Sequence, residues 1–416
     1  MLRALYNLLL HAALPILPLR LWLRGRKEPG YRLHIGERFG RYQGRPERPV
    51  IWIHAVSLGE TRAAQPLVRA LRERYPDHEL LLTQMTATGR EAAETLYPEI
   101  RRAFLPYDFP WAVSRFVSHF HPRLGILMET ELWPNLVREC RRRGVRVLLA
   151  NARLSEKSAL GYARIGSLAG EALGDLAATA AQTEADAKRL VALGTQHVEV
   201  TGNLKFDFSP PQEMLDRARE LRALYCGRPV FLAASTREGE EALLLDAIAR
   251  TPLPRVLTVI VPRHPQRFDQ VAATLRERGL AFVRRSEARP VPAECDFVLG
   301  DSMGELVAYY AAADVTFVGG SLLTYGGQNL IEACTVGTPV LIGPSTFNFA
   351  QAAAEAIAAG AAIQTVDGNA VVHEAARLLG DADARKRMGE AGQKFCAAHR
   401  GATERTMAIM ARLLSG

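Results

Sequence analysis

From about residue 49 the hydrophobic and polar positions settle into a repeating pattern. Short apolar runs alternate with longer stretches in which apolar residues recur every three or four positions. The first kind marks strands buried on both faces, and the second marks amphipathic helices. Strands are predicted at 50–55, 80–84, 102–106, 124–128, 145–150, 178–182 and 198–200. Helical spacing is plain over 62–75, where Ala63, Ala64, Leu67, Val68 and Leu71 fall on one face. The pattern pauses at 206–212, where Pro210-Pro211 breaks any regular element. It resumes with strands at 230–234, 256–261, 281–284, 297–299, 315–318 and 340–342, and the tail 382–414 reads as helix. Alternation of this kind implies α/β architecture with parallel, doubly wound sheets. There is no internal sequence repeat, yet both halves share the pattern. Two Rossmann-like domains are expected, over 28–209 and 210–416, facing a cleft with the strand C-termini of both sheets turned toward it.

The segment before them is different. Residues 4–19 are almost wholly apolar and are flanked by Arg3 and Arg20. A helix of that length reaches roughly 24 Å, short of a hydrocarbon core of about 30 Å. Pro15 and Pro18 would kink it. A cleaved signal peptide, a buried helix of the first domain and a membrane anchor all suit such a run. No small-residue cleavage site follows, which counts against the first. Residues 1–27 are therefore expected to be a membrane anchor, spanning the bilayer or lying in its interface. Arg20, Arg24, Arg26 and Lys27 all follow the run, so the positive-inside rule puts the rest of the chain in the cytoplasm.

Composition narrows the chemistry. Of 416 residues, 48% are hydrophobic and 23% charged, which fits globular domains and excludes a disordered chain or a multi-span membrane protein. Lys and Arg number 52 against 44 acidic residues, a net charge of +8 that favours an anionic partner. Nucleic acid, a phosphosugar, a nucleotide and acidic lipid all qualify. No aromatic residues interleave with Lys and Arg in the manner of a nucleic-acid-binding face. Cys140, Cys226, Cys295, Cys334 and Cys396 are scattered without zinc spacing and read as reduced thiols. No H-E-x-x-H, P-loop or early G-x-G-x-x-G is present. His54, His119, His121 and His264 therefore read as structural or hydrogen-bonding residues, and no metal is expected.

The residues that carry chemistry stand where strand runs stop, the place an open α/β sheet builds its site. Ile51-Trp52-Ile53-His54-Ala55-Val56-Ser57-Leu58-Gly59-Glu60 places Glu60 at a helix start. It is either a favourable carboxylate at a helix N-terminus or a general base aimed into the cleft. Met128-Glu129-Thr130-Glu131-Leu132-Trp133-Pro134-Asn135 puts two carboxylates at the end of an apolar strand. Like charges this close need a cation or a proton donor between them, unless the segment is a plain surface loop. Thr201-Gly202-Asn203-Leu204-Lys205-Phe206-Asp207 offers Lys205, either to an anion or to solvent. In the second half, Val261-Pro262-Arg263-His264-Pro265 is a stiff corner presenting Arg263. Gly304-Glu305-Leu306 opens a helix, and Gly326-Gly327-Gln328-Asn329-Leu330-Ile331-Glu332 leads into another, with a carboxylate suited to a ribose diol.

Five blocks in this order, Trp52 to Glu60, Met128 to Asn135, Thr201 to Asp207, Val261 to Pro265 and Gly319 to Glu332, resemble the 3-deoxy-D-manno-octulosonic acid (Kdo) transferases, the lipid A glycosyltransferases of Gram-negative bacteria. The resemblance covers nearly the whole chain, including the N-terminal run and Gly36-Glu37-Arg38-Phe39-Gly40. It implies a GT-B glycosyltransferase that moves Kdo from CMP-Kdo to a tetraacyl lipid A precursor at the cytoplasmic face of the inner membrane, without a metal or other cofactor. By the same resemblance the domain 28–209 binds the acceptor and 210–416 the CMP-sugar. Glu60 would be the base, and Glu131 and Lys205 the transition-state residues. CMP would be held by Pro262 and Arg263, by Gly304, Glu305 and Leu306, and by Asn329, Leu330, Ile331 and Glu332. Many relatives read Gly-Gly-His-Asn-Pro before the last glutamate, where this chain has Gln328-Asn329-Leu330-Ile331 after its glycines. One base with no second nucleophile implies inversion. Arg138, Arg141, Arg142, Arg143 and Arg146 offer a basic surface for a phosphorylated lipid, or else a solvated helix face. A GT-B transferase using a UDP- or GDP-sugar and a nucleotide-sugar epimerase of the same double-Rossmann form are the nearest alternatives.

Overall fold

A computed structural model describes residues 2–26 and 28–415. Lys27, counted above among the basic flank, lies outside the described residues. The chain forms two compact units, Met1–Asp207 with His399–Gly416, and Phe208–Ala398.

The first unit is built on seven parallel strands: β1 (Val50–His54), β2 (Glu79–Gln84), β3 (Arg101–Phe104), β4 (Pro122–Met128), β5 (Arg146–Ala152), β6 (Ala178–Ala181) and β7 (Val198–Val200). Their order is β3-β2-β1-β4-β5-β6-β7. Side chains of a strand alternate between faces, so each strand feeds two cores. On β1, Ile51 and Ile53 pack with Leu67, Val68 and Leu71 of the helix Gln65–Arg74. Val50 and Trp52 pack on the other face with Phe116, Val117, Leu136 and Val137. Gly125 of β4 leaves room for the neighbouring Trp52, because a Cβ there would come within 2.8 Å of the indole.

All seven strands of this unit match the expected runs. The helix expected over 62–75 is instead two helices, Leu58–Ala63 and Gln65–Arg74, because Pro66 has no N–H to continue the ladder. The expected helical tail also divides, into Ala382–Ala398 and Ala402–Ser415. The second piece corrects the expected domain 210–416. Ala402, Met407, Ile409 and Met410 complete the core of the first unit. Asp207 fastens this return by accepting the N–H groups of Gly401 (2.6 Å) and Thr403 (2.5 Å) at the helix start.

The second unit also has seven parallel strands: β8 (Val230–Thr236), β9 (Leu257–Pro262), β10 (Phe282–Arg284), β11 (Phe297–Leu299), β12 (Val315–Val318), β13 (Val340–Ile342) and β14 (Ala362–Gln364). The order is β10-β11-β9-β8-β12-β13-β14. Strand β14 was not expected from the sequence.

The N-terminal run forms two helices, Leu2–Ala13 and Ile16–Arg24, bent by 59° at the break before Ile16. Among the described residues no single helix is long and apolar enough to cross a membrane, although this bent pair passes by length and composition. Leu5, Leu8, Leu9, Ile16, Leu19, Trp22 and Leu23 are exposed.

Candidate functional site

In the first sheet the strand order switches direction between the parallel strands β1 and β4, and both strands end in acidic loops. Ser57 begins the helix Leu58–Ala63, and Glu60 stands in its first turn. The Glu60 carboxylate accepts the Val56 N–H at 2.8 Å and the Ser57 hydroxyl at 2.9 Å. That satisfies the helix-start reading of this residue. It also fixes the carboxylate in a mostly buried setting, where burial first and then the charge of Glu129 push its pKa to about 8. Glu131 is pushed to about 7, again chiefly by burial. Glu129 adds to that rise, and the Trp133 indole opposes it.

Glu129 itself adopts φ = 58°, a backbone region that a β-carbon disfavours. Its N–H still donates to the Ala150 carbonyl at 2.9 Å, so the turn begins at the last rung of the sheet. The carboxylate meets Lys205 Nζ at 3.2 Å. Lys205 is carried by the short turn Leu204–Asp207 after β7. Asn151 holds that turn through its Oδ1, which accepts the Leu204 N–H at 3.0 Å. Strands β1, β4, β5 and β7 thus bring three carboxylates and one ammonium into a single cluster.

Beneath the cluster His54 is fully buried, and burial drives its pKa down to about 3. Its Nδ1 lies 3.1 Å from the Thr83 carbonyl and its ring meets Trp133 edge-on at 6.0 Å. It is a neutral structural residue, as expected.

In the second sheet the strand order switches direction between β8 and β12, and β9, β11 and β12 end in the three loops read as nucleotide-binding. Pro262 closes β9, and the Arg263 N–H donates to the Thr236 carbonyl at 3.0 Å. Arg263 Nε donates to Gln328 Oε1 at 3.2 Å, which joins the β9 and β12 loops. Arg237 reaches His264 at 3.1 Å and lies 4.6 Å over the Tyr325 ring. Burial and then the neighbouring Arg263, Arg237 and Arg267 hold His264 below its ordinary pKa. A cation-rich rim of this kind suits an anion. Gly319 is required here, because a Cβ would sit 2.6 Å from the Ser235 carbonyl oxygen.

The remaining expected residues fare differently. Asn329 Nδ2 donates to Glu332 Oε1 at 3.0 Å, and Asn329 Oδ1 accepts the Ile331 N–H at 3.1 Å. Leu330 and Ile331 point into the core, so a ligand would meet their backbone alone. Gly304 is open, with φ = 83°. Glu305 is engaged with Arg285 at 3.2 Å and Arg217 at 3.4 Å. Leu306 begins a helix of 7 residues and Ile331 one of 6, so both helix starts are short. Around Arg138 the arginines Arg138, Arg141, Arg142 and Arg143 stay exposed, several of them in ion pairs at the surface. Arg142 and Arg143 pair with Glu139, Arg141 with Asp175, and Arg146 with the Leu413 carbonyl.

The structure joins Glu60 and Lys205 to the acidic loop, but it gives Lys205 to Glu129 rather than to Glu131. The sequence reading gave a role to Glu131 and none to Glu129, which is the carboxylate that meets Lys205. It passed over Asn151, whose asparagine at a strand end, in the left-handed region with φ = 54°, was the available signal.

The model of the family described as "3-Deoxy-D-manno-octulosonic-acid transferase (kdotransferase)" matches residues 33–208, and "Glycosyl transferases group 1" matches 277–395. A 3-deoxy-D-manno-octulosonic acid transferase of Bordetella pertussis is 47% identical, over 97% of this chain and 98% of its own. One of Haemophilus influenzae is 35% identical, over 98% of each. Among solved structures, a UDP-GlcNAc 2-epimerase from Neisseria meningitidis is 14% identical with a TM-score of 0.61, over 88% of this chain and all of the other. That likeness concerns the fold, which is of the GT-B type with its two parallel seven-stranded sheets.

Proposed function

Because this chain belongs to the family of 3-deoxy-D-manno-octulosonic acid transferases, we propose that it moves Kdo from CMP-Kdo to the tetraacyl lipid A precursor by one inverting displacement. The observation that carries the reading is the cluster of Glu60, Glu129, Glu131 and Lys205 at the strand ends of the first sheet. A sugar hydroxyl is a weak nucleophile and needs a base. Ionised Glu60 takes its proton, the hydroxyl oxygen attacks the anomeric carbon of Kdo, and the bond to the CMP phosphate breaks with its electron pair. Kdo carries a carboxylate beside that carbon, and Lys205 supplies the complementary charge. Glu131 is the second transition-state residue, able to hold or give a proton near neutrality. Arg263 and the β12 loop bind the departing nucleotide. The assay is mass spectrometry of the lipid after incubation with CMP-Kdo and the precursor. CMP should protect the protein and UDP should not.

A raised base pKa has a kinetic sign. A carboxylate acts as a base only when ionised, so kcat/KM should climb with pH and level off above about 8, the value for Glu60. A pH profile already flat from 6 upward would contradict Glu60 as the base.

We also take side chains, not a metal, to carry the charge of the leaving group. No group of three or more His, Cys, Asp or Glu suited to a metal occurs among the described residues. EDTA should therefore leave the rate unchanged, and inactivation restored by Mg²⁺ would overturn this.

The place of action follows from the N-terminal helices. Their exposed leucines and Trp22 would each gain a share of the about 1.5–3 kcal/mol that full burial of such a side chain contributes. Arg26 lies 4.3 Å over the Trp22 ring, a pairing that suits the boundary of apolar chains and anionic head groups. The inner membrane surface, on its cytoplasmic side, supplies both the lipid acceptor and the cover.

A further inference from the structure

The first helix does more than present leucines. Arg3, Tyr6 and Asn7 stand at i, i+3 and i+4, on one face of Leu2–Ala13. All three reach one small region of the first unit, where Asp108 meets Pro134 and Asn135. Arg3 Nη1 donates to the Pro134 carbonyl at 2.8 Å, and its Nη2 meets Glu171 at 3.0 Å. The Tyr6 hydroxyl donates to Asp108 Oδ2 at 2.9 Å. Asn7 Oδ1 accepts from Asn135 Nδ2 at 2.7 Å.

Asp108 is the centre of this arrangement. It is 2% exposed, and its two oxygens also accept the N–H groups of Asn135 and Leu136, both at 2.9 Å. Its carbonyl accepts Asn135 Nδ2 at 2.6 Å. These are the free N–H groups at the start of the helix Pro134–Arg142, directly after Glu129-Thr130-Glu131-Leu132-Trp133. The opposite face of the first helix carries Leu2, Leu5, Leu8 and Leu9, all exposed.

We infer that Arg3, Tyr6 and Asn7 are positioning residues: through Asp108 and Asn135 they hold the loop Glu129–Trp133 in its reactive geometry, so the membrane-facing helix is also a strut of the catalytic cluster. The inference rests on the proposed function for what the loop does, but not for how it is held. The three polar contacts lie on the face turned away from the exposed leucines. Membrane attachment and loop support are therefore separable by mutation.

The full-length protein on phosphatidylethanolamine–phosphatidylglycerol vesicles is the test system. The variant is Arg3→Ala/Tyr6→Phe/Asn7→Ala, with Tyr6→Phe alone as the minimal change. Hydrogen exchange of residues 129–135 should quicken at least about fivefold in the triple variant, since its docking bonds are gone. Because small displacements of reacting groups are costly, kcat should fall about tenfold or more. The donor KM should stay within twofold, because CMP-Kdo is held by the second unit. Flotation with the vesicles should be unchanged. Exchange and kcat both within twofold of wild type would overturn the inference. So would a loss of kcat that only tracks the unfolded fraction in a thermal melt. If wild type transfers no Kdo while loop exchange still responds, the strut stands and the proposed reaction fails.

Discussion

Glu60→Gln should lower Kdo transfer by about 10²- to 10⁴-fold, the range set by removing a general base. The amide has nearly the shape of the carboxylate. Its oxygen can still accept the Val56 N–H, and its NH₂ can donate to the Ser57 hydroxyl, so the helix start survives. What is lost is the ability to take a proton. The second unit folds around its own sheet, so CMP affinity by calorimetry should match wild type. The alkaline climb of kcat/KM should vanish as well, because the group that titrates near 8 has been removed. A variant that keeps more than a tenth of the wild-type turnover would remove Glu60 from the role of base.

Lys205→Ala should be nearly as severe, with kcat falling by about 10²-fold or more, the scale of losing one charged group aimed at a transition state. It should also leave a second mark. Glu129 raises the pKa of both Glu60 and Glu131, and Lys205 is its ion-pair partner. With the ammonium gone, the negative charge of Glu129 acts on its neighbours less compensated, and the pH limb should move to higher pH. Glu129→Gln should move it the other way, because a charge that disfavours ionisation of Glu60 is removed. Opposite shifts in the two variants would locate the electrostatic coupling. A limb that stays in place in both would dissolve it, whatever the rates.

The strands were legible because central strands of a parallel sheet are buried on both sides, and Val50–His54 or Pro122–Met128 read as unbroken apolar runs. Strand β14 escaped notice because it is an edge of three residues, Ala362–Gln364, inside an alanine-rich stretch that suits a helix equally well. Positions at strand ends foretold where the carboxylates gather, since topology alone sends those loops to one side of a sheet. Which carboxylate meets Lys205 was not legible. Glu129 and Glu131 are two residues apart, and only the turn at φ = 58° directs the first of them to the ammonium. The exposure of Arg138, Arg141, Arg142 and Arg143 agrees with the basic run, but their ion pairs with Glu139 and Asp175 depend on spatial neighbours that composition does not give. The polar docking of the N-terminal helix was hidden too, because Arg3, Tyr6 and Asn7 stand at the edge of, or within, a run whose apolar residues dominate its reading.

The return of the last helix to the first unit sets a schedule for biosynthesis. A ribosome releases residues in order, and domains ordinarily fold as they emerge. Here the unit that begins first cannot finish first. Until Ala402–Ser415 leaves the exit tunnel, the sheet face carrying Ile51, Ile53 and Leu148 lacks the cover of Met407, Ile409 and Met410. The contiguous stretch Phe208–Ala398 has everything it needs sooner. The unit begun first is therefore the last to close, because its final helix is the last part of the chain to emerge. A premature stop just beyond Ala398 would leave an intact second unit attached to a permanently open sheet, a form fit for proteolysis.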